Sequence, residues 1–231
     1  MRGLLRWFGR LLLIGLVAVM AYQMWLLAHI WYWVDHNPTS SAFMDARAQE
    51  MRSEVPPRQI QFQWVDYAAV SPQLKRALVA SEDAKFLAHD GFDWEGIEKA
   101  YNKNLKKGRI VAGGSTISQQ LAKNLFLTRA RTPWRKAQEA LITLMIERMM
   151  TKRRILEIYM NVIEWGDGIF GAQAAAIHYF GVDARRLTAA QAARLAAMVP
   201  NPRYYDRHRN ARGLLRKAAI IQSRMRSAVI P

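Results

Sequence analysis

Acidic residues are few in this chain, 18 against 34 lysines and arginines, and two of them stand in settings that suit chemistry. The first is Glu82, in Ser81-Glu82-Asp83-Ala84-Lys85-Phe86-Leu87-Ala88-His89-Asp90-Gly91-Phe92-Asp93, where a helix ends in a turn that gathers carboxylates, a histidine and aromatic rings. A carboxylate at a helix C-terminus, screened from water by Phe86 and Phe92, suits a general base, because the helix dipole and desolvation both favour its taking up a proton. The plainer reading is open too: Glu82 and Asp83 as surface charges, with His89 and Asp90 pinning the turn. The second is Glu139, four residues after Arg135 and three after Lys136, so that the three share one helical face. Either they form a solvent-facing ion-pair trio worth about 0.2–0.5 kcal/mol per pair, or Arg135 and Lys136 join Lys123 in clamping a diphosphate beside a carboxylate.

Lys123 belongs to the stretch around which the chain is organised, Gly113-Gly114-Ser115-Thr116-Ile117-Ser118-Gln119-Gln120-Leu121-Ala122-Lys123-Asn124-Leu125-Phe126-Leu127. Two glycines allow close backbone approach, Ser115 or Thr116 caps a helix, and Ile117, Leu121 and Leu125 recur as one buried face. Ser118, Gln119, Gln120, Lys123 and Asn124 are left over. Uncharged hydrogen-bonding side chains leading to one cation, beside a helix start that favours anions, suit a phosphate or a sugar. A Walker loop is excluded, because no Gly-Lys-Ser/Thr follows the glycines at the required spacing.

The rest of the sequence sets the context. At 231 residues, 51% hydrophobic and 23% charged, the chain has enough apolar content to fold, and it has no cysteine for disulfides, thiolate nucleophiles or zinc. A net charge of +16 attracts polyanions without choosing among them. The N-terminus chooses. From Leu11 to Val34 the only potentially charged side chain is His29, a run long enough to span a bilayer as a helix. Arg2, Arg6 and Arg10 precede it, so residues 1–10 are expected in the cytoplasm and everything after Asp35 outside. Trp25, Trp31, Tyr32 and Trp33 fit an outer aromatic belt. The run is too long for the apolar region of a signal peptide and lacks a clear small-x-small cleavage site. A basic domain on the far side of an inner membrane meets little nucleic acid, and anionic lipid remains as a partner.

Residues 35–57, with Pro38, Pro56 and Pro57, read as a linker containing a short helix around Asp45–Arg52, and 59–65 alternates as a short strand or extended arm. No other stretch reads as strongly β. Helix starts are legible at Ser71-Pro72, Asp93, Thr132-Pro133, Thr151, Thr188 with Gln191, and Asn210, so the soluble part, 58–231, is expected to be mainly α. Ile97, Ala100, Tyr101 and Leu105 form an apolar stripe among lysines, as an interfacial helix or a plain core helix would. Arg203, Arg207, Arg209, Arg212, Arg216 and Lys217 form a second basic zone, either a solvated face or a contact for lipid head groups.

Five motifs in order resemble the glycosyltransferase domain of peptidoglycan polymerases, found in class A penicillin-binding proteins and in monofunctional peptidoglycan glycosyltransferases. They are Glu82-Asp83-x-x-Phe86-x-x-His89-x-Gly91-x-Asp93, the Gly113–Leu121 stretch with Lys123-Asn124, Arg135-Lys136-x-x-Glu139, Lys152-x-Arg154-Ile155-Leu156-Glu157-x-Tyr159-x-Asn161, and Gly166 through Gly171 to Tyr179-Phe180-Gly181. The resemblance runs from about Ser71 to about Pro202.

It implies a lysozyme-like helical fold with a small membrane-facing jaw, roughly 94–113, preceded by the transmembrane helix. The implied reaction is inverting transfer of a lipid-linked growing glycan onto the 4-hydroxyl of lipid II, with release of undecaprenyl diphosphate. Glu82 would be the base and Glu139 the second essential carboxylate, its role open between orienting cations, holding a metal and binding a sugar. Asp83, Phe86 and His89 would complete the first cluster. Ser115, Thr116, Gln120 and Asn124 would line the sugar-diphosphate cleft, and Lys123, Arg135 and Lys136 would neutralise the leaving diphosphate. No cofactor is required by the sequence, and a divalent cation, Mg or Mn, is left open. The implied partners are lipid II, the lipid-linked strand, membrane lipids and proteins of division or elongation. The absence of a Ser-x-x-Lys motif points to the monofunctional branch, without transpeptidase activity. Two rivals share parts of this pattern: a membrane-bound glycan hydrolase, which would need no cationic clamp, and a non-enzymatic scaffold, which would be free to lose Glu82, Glu139 or Lys123.

Overall fold

The computed structural model describes residues 2–109, 113–130 and 132–231, with side chains from Arg6 onward. Met1 of the expected cytoplasmic segment and residues 110–112 of the expected jaw lie outside the described residues. The chain divides into two units, 1–37 and 38–231. The first is a single helix, α1 (Arg2–Asp35), about 50 Å long at 1.5 Å per residue, with an 18-residue window of mean hydropathy 2.2. By length and composition it can cross a membrane. Its one ionisable group in the apolar run, His29, donates from Nδ1 to the Trp25 carbonyl at 2.9 Å and packs against Trp25 and Trp33.

The second unit is mainly helical. It begins with α2 (Ala42–Arg52), capped by Ser41, whose Oγ accepts from Met44 N at 3.2 Å. Met44 and Met51 are buried, and α2 packs on α5, so the segment expected to be a linker is folded into the globular unit. The sequence concealed this because Arg47, which reads as a solvent residue, is buried. It bonds to Glu50 at 3.0 Å, Glu54 at 3.2 Å and Asp167 at 2.5 Å. Glu164 then accepts from Arg203 at 2.9 Å and Arg129 at 3.1 Å, which ties α2 to the middle and end of the chain.

Six of the remaining helices start where their caps predict. Ser71 and Pro72 open α3 (Pro72–Glu82), Asp93 opens α4 (Trp94–Lys107), and Thr116 with Gln119 forms a full capping box on α5 (Ile117–Phe126). Thr132 opens α6 (Pro133–Met149) and Thr151 opens α7 (Lys152–Val162). A capping box of Thr188 and Gln191 opens α9 (Ala189–Met198), which follows α8 (Ala172–Phe180). Two more helices follow, α10 (Pro202–Arg207) and α11 (Arg212–Arg224). The last begins after Ala211, and Asn210 instead accepts from Arg194 at 3.2 Å.

Two bundles share the core. In one, α3 and α11 pack on α9; in the other, α6 and α7 pack on α5. Leu74, Leu78, Ile117, Leu121, Ile142, Ile155, Tyr159 and Trp165 are fully buried. A small sheet of order β1-β3-β2 completes the unit, with β1 (Gln61–Phe62) parallel to β3 (Ile169–Phe170) and β2 (Glu164–Gly166) antiparallel to it. The strand expected over 59–65 is therefore two residues long, and β2 and β3 were not expected at all. Strands of two or three residues are too short to show alternation, and this hairpin is held by tertiary contacts such as the Tyr179 hydroxyl of α8 donating to Trp165 O at 3.1 Å.

Candidate active site

Glu82 is the last residue of α3 and is half-buried. Its Oε1 accepts from Ser81 Oγ at 3.1 Å and its Oε2 from Gln120 Nε2 of α5 at 3.0 Å. Gln120 Oε1 in turn accepts from the hydroxyl of Tyr159 on α7 at 2.9 Å. The base candidate is thus held from a second helix through a side-chain amide.

Behind Glu82 lies a braced polar layer. Asp83 Oδ1 accepts from His89 Nε2 at 2.9 Å and Oδ2 from Ile117 N at 3.0 Å, so one buried carboxylate ties the turn to the start of α5, where the helix dipole favours it. His89 Nδ1 accepts from Gly91 N at 3.2 Å, which fixes the tautomer with its proton on Nε2. Thr116 Oγ1 donates to Gly91 O at 2.7 Å. Gly91 has φ +95°, and a Cβ there would stand 2.9 Å from Thr143 Cγ2, so only glycine fits between the turn and α6. Below, Lys152 Nζ donates to His89 O at 2.6 Å and to Glu147 at 2.7 Å, and Ser118 donates to the same Glu147 oxygen. Phe86 is fully buried under this turn, with Lys152 Nζ 4.7 Å from its ring centre. Of the residues assigned to substrate by sequence, Asp83, Phe86, His89 and Thr116 brace the turn and α5, and Asp83 and Thr116 also line a cavity beside Glu82. Phe92, expected to screen Glu82, stacks on Trp94 instead, with ring centres 5.5 Å apart.

In front lies a cationic group. Arg135 Nη1 donates to Glu139 Oε2 at 2.5 Å and Lys136 Nζ to Glu139 Oε1, so both oxygens of this buried carboxylate face cations. Lys123 makes no hydrogen bond among the described residues. Burial pushes its pKa below the ordinary value, Glu139 and Glu82 pull it back, and Arg135 and Lys136 lower it further. A half-buried ammonium near two other cations is a site short of negative charge, and a bound diphosphate would restore the balance.

Glu82 lines one cavity, and its hydrogen-bond partner Gln120 lines another. The larger, about 460 Å³, is lined by Gln120, Lys123, Asn124 and Arg135 at one end and by Phe43, Arg129, Glu164, Asn201 and Arg203 at the other. Arg135 Nε in its wall is buried with no hydrogen-bond partner among the described residues. The smaller, about 160 Å³, is lined by Glu82, Asp83, Gly113, Gly114, Ser115 and Thr116. Of the two glycines only Gly114 makes a close approach, since a Cβ there would lie 3.0 Å from Ile97 Cα of α4. Gln120 lines the larger cavity while bonding the carboxylate that lines the smaller.

A divalent cation would need converging oxygen or nitrogen ligands. Among the described residues no three such side chains come together, Glu139 already faces two cations and Asp83 faces His89. The protein side chains by themselves form no such cluster among the described residues.

Comparison with known proteins places the chain in a family. The transglycosylase family profile matches residues 48–226, from within α2 to just past the end of α11, a span that contains Glu82, Gln120, Lys123, Arg135 and Glu139 but not Phe43. The chain belongs to the transglycosylase family. It is similar to the biosynthetic peptidoglycan transglycosylase of Methylobacillus flagellatus, 63% identical over 224 residues that cover 97% of this chain and 98% of that protein. The protein of the same description from Laribacter hongkongensis is 63% identical over 228 residues, 99% of this chain and 100% of that one. That of Thiobacillus denitrificans is 51% identical over the full length of both. A transglycosylase moves a glycosyl unit, which needs a base for the incoming hydroxyl and a place for the leaving group.

Sequence reasoning missed Phe43, Arg129 and Asn201 as cavity walls, because none belongs to a recognisable chemical pattern. Tyr159 stood in a quoted motif, but at helical apolar spacing it reads as core.

Proposed function

We propose that this transglycosylase polymerises the glycan strands of peptidoglycan. The acceptor is lipid II, the donor is the lipid-linked growing strand, and the products are a strand longer by one disaccharide and undecaprenyl diphosphate. Glu82 takes the proton from the acceptor 4-hydroxyl as its oxygen attacks the donor anomeric carbon from the face opposite the diphosphate, which inverts that centre. The diphosphate needs no proton to leave, only neutralisation, and Lys123 and Arg135 provide it from the larger cavity, with Lys136 beside them. Ser115 on the smaller cavity, and Gln120 and Asn124 on the larger, hydrogen-bond sugar hydroxyls or phosphate oxygens. Glu139 lines neither cavity and acts by holding Arg135 and Lys136 in place. The observation that carries this reading is a carboxylate that lines one cavity and is hydrogen-bonded to a wall residue of another, which carries a half-buried lysine without an ion-pair partner among the described residues.

In this reading α1 anchors the chain in the inner membrane with its N-terminus in the cytoplasm and the globular unit in the periplasm. The exposed Trp94, Tyr101 and Leu105 of α4 turn toward the lipid from which the substrate comes. The test is polymerisation of labelled lipid II by the detergent-solubilised full-length protein beside Glu82→Gln, with products separated by length. Long strands from the wild type and a loss of about 10³-fold or more in the variant are expected. Equal product from both would remove Glu82 from the mechanism, and shortening of preformed glycan would replace polymerisation with hydrolysis.

A further inference from the structure

We propose that Tyr159 is a positioning residue for the base: it orients the Gln120 amide, and that amide holds Glu82. The inference rests on the reading of Glu82 given above. Tyr159 is fully buried, and its hydroxyl bonds to Gln120 Oε1 at 2.9 Å and to no other group among the described residues. Burial, with the charges of Glu82 and Asp83, raises its pKa well above the ordinary tyrosine value, so the hydroxyl stays protonated and donates.

A donor on one end of a side-chain amide decides which end faces the other neighbour. With Oε1 held by Tyr159, the NH₂ of Gln120 is turned to Glu82 Oε2 at 3.0 Å. Released, the amide is free to turn over and present its oxygen to the carboxylate, replacing an attraction with a repulsion. Gln120 is otherwise fixed only through its main chain, whose carbonyl accepts from Asn124 Nδ2 at 2.7 Å.

The other groups that face Glu82 are accounted for. Ser81 donates to its second oxygen, and Asp83 is turned to His89 and α5. Lys123 of α5 and Lys217 of α11 reach it through their charge alone, and burial lowers the pKa of both lysines. None of them hydrogen-bonds the Gln120 amide among the described residues.

Tyr159→Phe keeps the ring and removes one oxygen. Because a hydrogen bond donated to a carboxylate favours its ionised form, the acid limb of the kcat–pH profile should move to higher pH. We expect kcat to fall about tenfold with KM for lipid II unchanged, as for an interaction that serves the chemical step. Gln120→Leu should shift the limb the same way, and adding Tyr159→Phe to it should change nothing further. An unmoved acid limb, a rise in KM at full kcat, or fully additive losses would overturn the proposal. If Tyr159→Phe does not fold, Gln120→Leu decides: with the limb unmoved there, the proposal fails. The underlying reading fails separately, through an active Glu82→Gln. An inactive Glu82→Gln beside a Tyr159→Phe of wild-type pH profile sinks this inference alone.

Discussion

At the start of α5, Thr116, Ser118 and Gln119 are buried and each is bonded, to Gly91, to Glu147 and to the helix's own first turn. Directly beyond, Gln120, Lys123 and Asn124 line a cavity, and Lys123 has no hydrogen bond among the described residues. The residue types are alike and the surroundings opposite. The first group meets the Asp83–His89 turn and α6, where every polar atom must find a protein partner or cost about 1–3 kcal/mol. In the second, Gln120 is bonded to Glu82 and Tyr159 and Asn124 to the Gln120 carbonyl, and Lys123 is left for the substrate to partner in the proposed function. On that proposal, polar residues on one helix divide into those that hold the fold and those that face the ligand, and the division follows what packs opposite them.

If that division is right, mutations on the two sides should separate activity from stability. The largest expected effect is Lys123→Met, which should lower polymerisation by about 10²–10³-fold. Its melting temperature should hold or rise, since a partly desolvated charge is removed. A clear drop in melting temperature would place Lys123 with the bracing residues. On the other side, Asp83→Ala leaves His89 and the first amide of α5 without their acceptor and should cost about 3 kcal/mol, read from the thermal midpoint by circular dichroism. An unchanged midpoint would break the comparison. Gly91→Ala should cost about 1–3 kcal/mol by the same measurement, from its positive φ and the contact with Thr143.

The smallest effect is a pH shift. Lys123 has its pKa lowered in the fold, so its charged form is lost at lower pH than an ordinary lysine's, and kcat/KM should fall on the alkaline side before 10.5. Stability runs the other way. The penalty of holding the desolvated ammonium is present below the folded pKa and is relieved as pH rises from there toward 10.5. Activity that falls while the thermal midpoint holds or improves over that window is the expected pairing; both falling together would argue against it.

The sequence made the division only partly visible. The capping box of Thr116 and Gln119 is a local pattern and was readable, although two possible caps were left open. The pairing of Glu82 with Gln120 joins residues 38 apart and needs α3 to meet α5, which no local signal encodes. Asp83 and His89 read as site residues because charge near a candidate base reads as chemistry, and their mutual bond, which braces the turn, is seen only in the folded chain. Glu139 was legible with its two cations, since helical spacing alone puts them together. The folding of α2 into the globular unit was hidden because a buried arginine carries no apolar signature, and Arg47 is what ties α2 to the hairpin.

The same arginine has a consequence for ionic strength. The far end of the larger cavity is walled by Arg129, Glu164 and Arg203, and Glu164 belongs to the network around Arg47. At its centre Arg47 is 7% exposed and shielded from dissolved ions, while Arg58 and Glu50 at its edge are 45% and 46% exposed and lie within reach of screening over about 8 Å at physiological salt. Rising salt should therefore weaken this wall's ion pairs first at their exposed edge and last around Arg47, so that the outermost pairs belong to the medium and the innermost to the fold.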